Sequence, residues 1–297
     1  MNNRFTQSGK LFVTRAFALL LGTSLMQVTL AQPPRAPVVQ TPPPRNADGR
    51  IILGSVPGKV GAWEGFGTRP MLTFFDKEPE GSLISITPYS DVLKMKDIFP
   101  KIKLSEVPFQ PWARALFEAR SRTRFEPYTR CKPSPGPRAV ATAYGTQFVE
   151  FPAMKKIYMF PVGGPRHYRE IWMDGRAHPT PLKPSYHGHS IGKWEGDTLV
   201  VDSVGFNEKM WFDAEGSPHT NQLHLIERFT RLSQQRLKYE VTIDDPGAYT
   251  KQWSSGFYMD WTEGESFQFV CQDDNQATEL MVGTQYDSID RRQAIYP

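Results

Sequence analysis

Apolar and polar residues alternate with a period of two over much of the chain after about residue 145. This period is typical of β-strands that bury one face, and the alternating stretches end at Gly, Asp or Pro residues that favour turns. The pattern predicts strands at 147–151, 155–160, 168–173, 189–194, 198–206, 223–231, 236–243, 255–261 and 266–271. We expect a mainly β fold, an antiparallel meander that closes into a lipocalin-like (calycin-type) barrel, because closure removes exposed strand edges. A sandwich of two sheets is the alternative.

The segment before the barrel, residues 50–144, contains short apolar runs and two predicted helices. One helix runs from a capping position at Ser90 to Phe99, and the other begins at Pro111, where a missing backbone N–H is tolerated. We expect this segment to pack on the outside or at one end of a barrel formed by residues 145–297.

The N-terminus predicts export. Residues 1–31 combine a basic start with an apolar stretch at 16–30 and small residues before Gln32, which is typical of a cleaved signal peptide. The apolar stretch is shorter than the roughly 20 residues that span a bilayer, so no stable membrane insertion is expected after cleavage. Residues 32–49 are a proline-rich linker. The predicted location is periplasmic or secreted.

Charge gives no indication of a nucleic-acid partner. The formal charge is +4, and removal of residues 1–31 would take away Arg4, Lys10 and Arg15 with no acidic residue, which leaves +1. No basic face remains that would favour nucleic acid or an anionic membrane.

The two cysteines, Cys131 and Cys271, suit one disulfide in an oxidising compartment. Such a bond would close a loop of about 140 residues and contribute roughly 4–5 kcal/mol in the chain-entropy model. Two separate buried thiols are the alternative that sequence leaves open.

Three segments resemble a group of exported bacterial proteins of unassigned activity. They are GHSIGKWEGDTLVVDSVGFN (188–207), ERFTR (227–231) and VTIDDPGAYTKQW (241–253). The segments PWARAL, CKPSPGPR and IWMDGRAHP extend the likeness over roughly 110–275. The resemblance implies export and a β-rich fold, and it implies no activity.

Glu227 is the most informative candidate for chemistry. In the strand 223–231 it shares a face with Leu223, Leu225 and Phe229, so it is predicted to point into the interior. A buried carboxylate must be paired, hydrogen-bonded or protonated, and desolvation would suit it to acid–base work near neutral pH. The alternative is a structural ion pair with an Arg, or a hydrogen bond to a buried Tyr.

Asp202 and three histidines complete the candidate catalytic set. Asp202 interrupts an apolar strand and is a second predicted interior carboxylate, which could form an acid–base pair with Glu227. His189, His219 and His224 are the candidate proton-transfer partners. For Asp202 the alternative is a bulge or a rim position that faces water.

A metal site is a weaker possibility. His187 and His189 have a spacing that can hold a metal on one strand face, with a third ligand from His219, His224 or Glu227. Single histidines more often bond backbone or carboxylate groups, so we expect no metal and no cofactor. The chain also lacks a GxSxG elbow, a GxGxxG after a strand and a Walker loop.

Aromatic residues along the strands are candidates for lining a ligand cavity, or else they fill the core. The candidate ligand-binding residues are Trp172, Trp194, Phe206, Trp211, Phe229 and Tyr239. Two functions therefore stay open. One is a barrel that binds a small, largely apolar or aromatic molecule. The other is a periplasmic lyase, isomerase or hydrolase in the same barrel. The oligomeric state is left open.

Overall fold

Nine strands form a closed barrel in the computed structural model. They are β1 Gly61–Glu64, β2 Thr146–Phe151, β3 Lys156–Pro161, β4 Arg169–Trp172, β5 His189–Glu195, β6 Thr198–Val204, β7 His224–Arg231, β8 Arg236–Asp244 and β9 Trp253–Glu263. Each strand pairs with the next along the chain, and β1 pairs antiparallel with β9 to close the barrel. The prediction of a mainly β, closed barrel with few helices is confirmed.

The structure describes residues 41–65 and 107–271, except 124–125, 135, 142–143, 164–166, 212, 214–215 and 267–268. All described residues belong to one compact unit, residues 38–297. The predicted signal peptide, the first part of the linker and the helix predicted at Ser90–Phe99 lie outside them. No helix within these ranges is long and apolar enough to cross a membrane.

One strand pair differs from the expected antiparallel meander. β4 and β5 are parallel, with Ile171 opposite Ser190. The reason is the connection: residues 173–188 form a long loop in place of a hairpin, so the chain enters both strands from the same end of the barrel. By contrast, Glu195, Gly196 and Asp197 make the tight turn predicted between β5 and β6, with Gly196 at φ +58°.

In the part of the chain that the structure describes, two α-helices precede β2: α1 Pro111–Thr123 and α2 Pro137–Val140. α1 begins at the predicted proline. Its buried face contains Ala113 and Phe117, one turn apart, whereas Trp112 is largely exposed. α1 therefore contributes only a narrow apolar face to the core.

Side chains fill the barrel interior. The alternation predicted in β7 and β8 is confirmed, since Leu225, Phe229, Leu237 and Ile243 are all fully buried. Tightly packed interiors of this kind leave little empty volume. The inward-facing apolar residues of the described strands thus build a core in place of an open lumen.

The segment before β1 covers the end of the barrel where β7 finishes. Arg231, the last residue of β7, donates to the carbonyl oxygen of Ile52 at 2.6 Å and to that of Gly54 at 3.2 Å. The neighbouring side chains of Ile51 and Leu53 are fully buried. Residues 51–54 therefore pack against this end of the barrel, and Gly61–Glu64 of the same segment forms part of the barrel wall.

A disulfide joins Cys131 to Cys271, with the Cα atoms 5.7 Å apart. The predicted pairing is confirmed, and it is compatible with an exported protein. The strand predicted at 266–271 is wrong for the residues described there, 266 and 269–271, which are not in a strand.

Candidate functional site

Glu227 lies in the middle of β7 with its side chain inside the barrel. It stands opposite Val201 of β6 and Val241 of β8, and no part of it is exposed. The prediction that this carboxylate shares the interior with its apolar neighbours is confirmed. A fully buried carboxylate needs compensating partners, and the structure supplies them.

An ion pair with Arg169 neutralises Glu227. Arg169 is the first residue of β4, is almost fully buried, and donates from Nη2 to Oε2 of Glu227. The hydroxyl of Tyr239 donates to the other carboxylate oxygen at 3.0 Å. Both oxygens are therefore engaged, as the structural alternative for Glu227 required.

Two serines hold the guanidinium of Arg169 in place. Its Nε donates to Oγ of Ser190 at 3.0 Å, and its Nη2 donates to Oγ of Ser203 at 2.7 Å. The two hydroxyls lie 2.9 Å apart. Together Arg169, Ser190, Ser203, Glu227 and Tyr239 form what we call the interior network, which links strands β4 to β8.

Burial controls the protonation of Tyr239 in the interior network. Desolvation raises the pKa of its hydroxyl well above the ordinary value, and the charge of Glu227 raises it further. The hydroxyl therefore stays protonated and serves as a donor. The interior network is a satisfied structural unit, and its carboxylate has no contact with the histidines of the candidate set.

Asp202 lies on the outer face of the barrel, so the prediction that it points inward is wrong. Its neighbours Val201 and Ser203 are the fully buried, inward residues of β6, whereas its own side chain is 37% exposed. The alternation along β6 predicted the wrong face because Val200, on the same outer face as Asp202, is also buried. Because both faces of β6 carry apolar residues, the difference in polarity that identifies the inward face is missing.

Three histidines gather around Asp202. Its Oδ1 lies 2.8 Å from Nε2 of His224 and 3.1 Å from Nε2 of His178. Nδ1 of His178 lies 2.8 Å from Nδ1 of His189. We call His178, His189, Asp202 and His224 the outer cluster.

Neighbouring strands and one loop assemble the outer cluster. His189 is the first residue of β5 and His224 the first of β7, and these strands flank Asp202 on β6. The loop 173–188 adds His178. It is fastened to the end of β6 where Ser185 pairs with Phe206 and donates its N–H to the Gly205 carbonyl at 3.0 Å.

The surroundings keep His189 neutral. Partial burial lowers the pKa of its imidazole, and the nearby His178 and Arg176 lower it further. Arg176 is itself paired with Asp174, Nη2 to Oδ2 at 2.6 Å. His189 is thus an uncharged imidazole at neutral pH, which is the form that accepts a proton.

His219 lies apart from strand faces, in the connection between β6 and β7. Its ring nitrogens lie 3.2 Å from the carbonyl oxygen of Thr220 and 3.1 Å from that of Met210. Burial lowers the pKa of its imidazole. Both contacts are to backbone carbonyl oxygens of the same connection, so His219 stabilises this loop.

The candidate aromatic residues divide into two groups. Phe206, Phe229 and Tyr239 are fully buried and Trp211 nearly so, which makes them part of the core. Trp194 is half-buried beneath the guanidinium of Arg50.

Trp172 lies on the outer face beside the loop of the outer cluster. Nζ of Lys156 lies 3.7 Å and Cζ of Arg176 3.4 Å from its ring centre. Two cations cannot share one face of a ring at such distances, so both faces of Trp172 are covered.

A half-open cleft lies between the N-terminal segment and β2. Its volume is about 380 Å³. Apolar groups of Ile52, Phe148 and Val149 line it together with polar groups of Arg50 and Gln147. This volume falls within the range of roughly 300–1,000 Å³ that small-molecule sites occupy.

The alternative of a metal site with His187 and His189 on one strand face does not fit the positions of the two rings. The ring of His187 packs against His167, whereas His189 bonds His178. Among the described residues, no group of three or more His, Cys, Asp or Glu side chains is arranged to hold a metal ion.

Sequence reasoning missed two central residues, Arg169 and His178. Arg169 shares a strand face with the fully buried Ile171, but Tyr168 and Trp172 make the other face apolar as well, so alternation does not identify the inward face. His178 lies in a loop without periodicity, and no sequence pattern indicates that it meets Asp202.

Comparison with known proteins adds no assignment. No protein-family model matches this chain, and neither the curated proteins nor the solved structures contain a match.

Proposed function

We propose that this protein is exported and carries out acid–base chemistry on a small molecule at the outer cluster. One observation carries the proposal: a single carboxylate oxygen of Asp202 faces Nε2 of both His178 and His224, at 3.1 and 2.8 Å. A carboxylate that orients an imidazole is the arrangement by which enzymes prepare a histidine for proton transfer.

The hydrogen bonds determine which ring nitrogens carry protons. An ionised carboxylate only accepts, so Nε2 of His178 and Nε2 of His224 each donate to Asp202. With Nε2 as its donor, His178 accepts at Nδ1 from Nδ1–H of His189. Two lone pairs remain without a partner among the described residues, on Nε2 of His189 and on Nδ1 of His224.

Both of these nitrogens can reach a substrate. His189 and His224 are partly exposed. Neither nitrogen is among the buried polar atoms of the described residues that lack a hydrogen bond. Access from solvent distinguishes the outer cluster from Glu227, which is sealed inside the barrel.

His224 is the proposed base. Its Nδ1 takes a proton from the substrate or from a water molecule, and the charge on Asp202 stabilises the imidazolium that forms. Proton abstraction from carbon and activation of water for hydrolysis both require this step. The chemistry therefore suits a lyase, an isomerase or a hydrolase.

The interior network gives the outer cluster a rigid base. Ser190 directly follows His189 in β5, and Ser203 directly follows Asp202 in β6. Both serines hold Arg169 from the other face of the same strands. Strands that are held rigidly in this way keep side chains for proton transfer in a fixed position.

Hydrolysis of p-nitrophenyl acetate by the purified protein tests the proposal, because this ester reports reactive imidazole groups. Asp202→Asn and His224→Gln should each lower the rate at least about tenfold, the lower end of what positioned acid–base groups contribute. Thermal unfolding of each variant checks that the barrel remains folded.

Glu195→Gln is the matched control, since Glu195 is an exposed carboxylate at the far end of β5 that pairs with Lys193 and Arg228. It should hydrolyse the ester at the wild-type rate. A folded Asp202→Asn or His224→Gln protein that also keeps the wild-type rate would refute the proposal.

Binding of a small, largely apolar molecule is a second candidate, supported by the cleft beside β2. Native mass spectrometry of the purified protein would reveal a co-purifying molecule. Val149→Trp places a large ring among the lining residues and should abolish that signal, whereas Asp202→Asn should leave it intact. A bound molecule that persists in folded Val149→Trp protein would exclude the cleft as its site.

A further inference from the structure

His167 and His187 form a second pair of imidazoles, neither of which belongs to the outer cluster. Each lies two residues before a strand, β4 for His167 and β5 for His187, and these strands run parallel. The two rings consequently meet at one end of the barrel. Their centres lie 4.8 Å apart, and their planes are inclined by 33°.

All four ring nitrogens of this pair are buried, and none has a hydrogen-bond partner among the described residues. Buried polar atoms are nearly always paired, and each unpaired group costs about 1–3 kcal/mol. Four such atoms on two adjacent rings indicate a bound species that satisfies at least part of them.

Both rings are uncharged at neutral pH. Burial lowers the pKa of His167 to about 4. Burial, with the charges of His167 and Arg169, lowers the pKa of His187 to about 3. A neutral imidazole has a lone pair on one nitrogen, which is the form that binds a metal ion.

The spacing of the rings suits one shared ion. Two imidazoles bound at about 2.0–2.1 Å to a tetrahedral ion have ring centres about 5 Å apart. Arg169, whose charge acts on His187, is neutralised by its ion pair with Glu227, which weakens its repulsion of a second positive charge.

We propose that His167 and His187 bind one first-row transition-metal ion, Cu²⁺ or Zn²⁺, as a pair of imidazole ligands. Imidazole nitrogen suits both ions, and Cu²⁺ binds a given nitrogen site more tightly than Zn²⁺. This inference does not depend on the function proposed for the outer cluster.

Isothermal titration of chelator-treated protein with CuCl₂ and with ZnCl₂ tests the proposal. Wild-type protein should bind one equivalent that is lost, or weakened at least tenfold, in both His167→Gln and His187→Gln. Each substitution removes one of the two proposed ligands of the same ion. Circular dichroism confirms that each variant is folded.

The double variant His178→Gln/His224→Gln is the control, because it removes the imidazoles that contact Asp202 and leaves the buried pair. This control variant should still bind one equivalent of the metal ion. Binding that survives in folded His167→Gln and His187→Gln proteins, binding lost only in the control, or no binding by wild-type protein would each overturn the proposal. Ester hydrolysis should keep the wild-type rate in His187→Gln. This assay therefore distinguishes failure of the metal-site proposal from failure of the function proposed for the outer cluster.

Discussion

Nε2 of His224 lies 2.8 Å from Oδ1 of Asp202, across two neighbouring strands on the outside of the barrel. The same carboxylate oxygen also faces His178, which the loop 173–188 carries over β6. The only strongly desolvated acid of the candidate set, Glu227, lies on the opposite face and is fully paired. The imidazoles of the outer cluster and the structural carboxylate thus occupy different sides of one sheet.

Removal of the charge on Glu227 is expected to destabilise the barrel. Glu227→Gln leaves Arg169 buried without its counter-charge, and loss of one partner of a buried pair costs about 3–5 kcal/mol. Urea unfolding monitored by tryptophan fluorescence measures this change. The matched substitution Glu195→Gln breaks only exposed ion pairs and should cost under about 1 kcal/mol. Equal effects of the two substitutions would contradict a structural role for the interior network.

Replacement of both members of the ion pair should be milder than replacement of one. Arg169→Met/Glu227→Leu removes both buried charges together, so no unpaired ion remains, and such exchanges are often close to neutral. Tyr239, Ser190 and Ser203 then lose partners, which leaves a residual cost. A double variant less stable than Glu227→Gln alone would show that the network does more than neutralise its own charges.

The disulfide is expected to contribute substantially to stability. The bonded cysteines are 140 residues apart in sequence, and closure of a loop of this length contributes roughly 4–5 kcal/mol in the chain-entropy model. Urea unfolding of the Cys131→Ser/Cys271→Ser variant measures the loss. A variant that unfolds at the wild-type urea concentration would show that the bond does not constrain the unfolded chain.

Acid should destabilise the metal-free protein through His167 and His187. Their folded-state pKa values, about 4 and about 3, lie below the ordinary 6.5, so the unfolded chain takes up protons first. Their contribution is complete above pH 6.5 and is lost as the pH falls towards these values. The loss is about 3 kcal/mol per histidine at pH 4.

Urea unfolding at pH 7, 5.5 and 4 in the presence of a chelator measures this dependence. The variant His187→Gln should lose less stability over that range than wild type, because one of the two titrating rings is gone. The same slope in both proteins would contradict burial as the cause of the lowered pKa values.

Period-two patterning predicted most of the barrel because strands such as β7 and β8 bury one face and expose the other. Leu225, Phe229 and Leu237 followed that rule, and Glu227 with them. The rule failed for Asp202, since β6 is covered on its outer face as well and Val200 is buried there. Alternation locates a residue on one of two faces, and only contrast in polarity tells which face is inside.

Other features could not be predicted because they depend on long-range geometry. The parallel pairing of β4 with β5 follows from the path of residues 173–188, and hydrophobic patterning does not specify that path. The same loop brings His178 to Asp202 from 24 residues away. Meetings of this kind arise from topology, so the candidate set from sequence contained Asp202, His189 and His224 of the outer cluster but missed His178 and was centred on Glu227.

Nitrogen-15 NMR of the histidine side chains tests the central claim most directly, because imidazole chemical shifts report which ring nitrogen carries the proton. At neutral pH the account predicts protons on Nε2 of His178, on Nε2 of His224 and on Nδ1 of His189. In Asp202→Asn the preference at His224 should weaken, since the orienting charge is gone. Protonation of His224 at Nδ1 in wild-type protein, or tautomers unchanged by Asp202→Asn, would contradict a carboxylate that prepares these imidazoles for proton transfer.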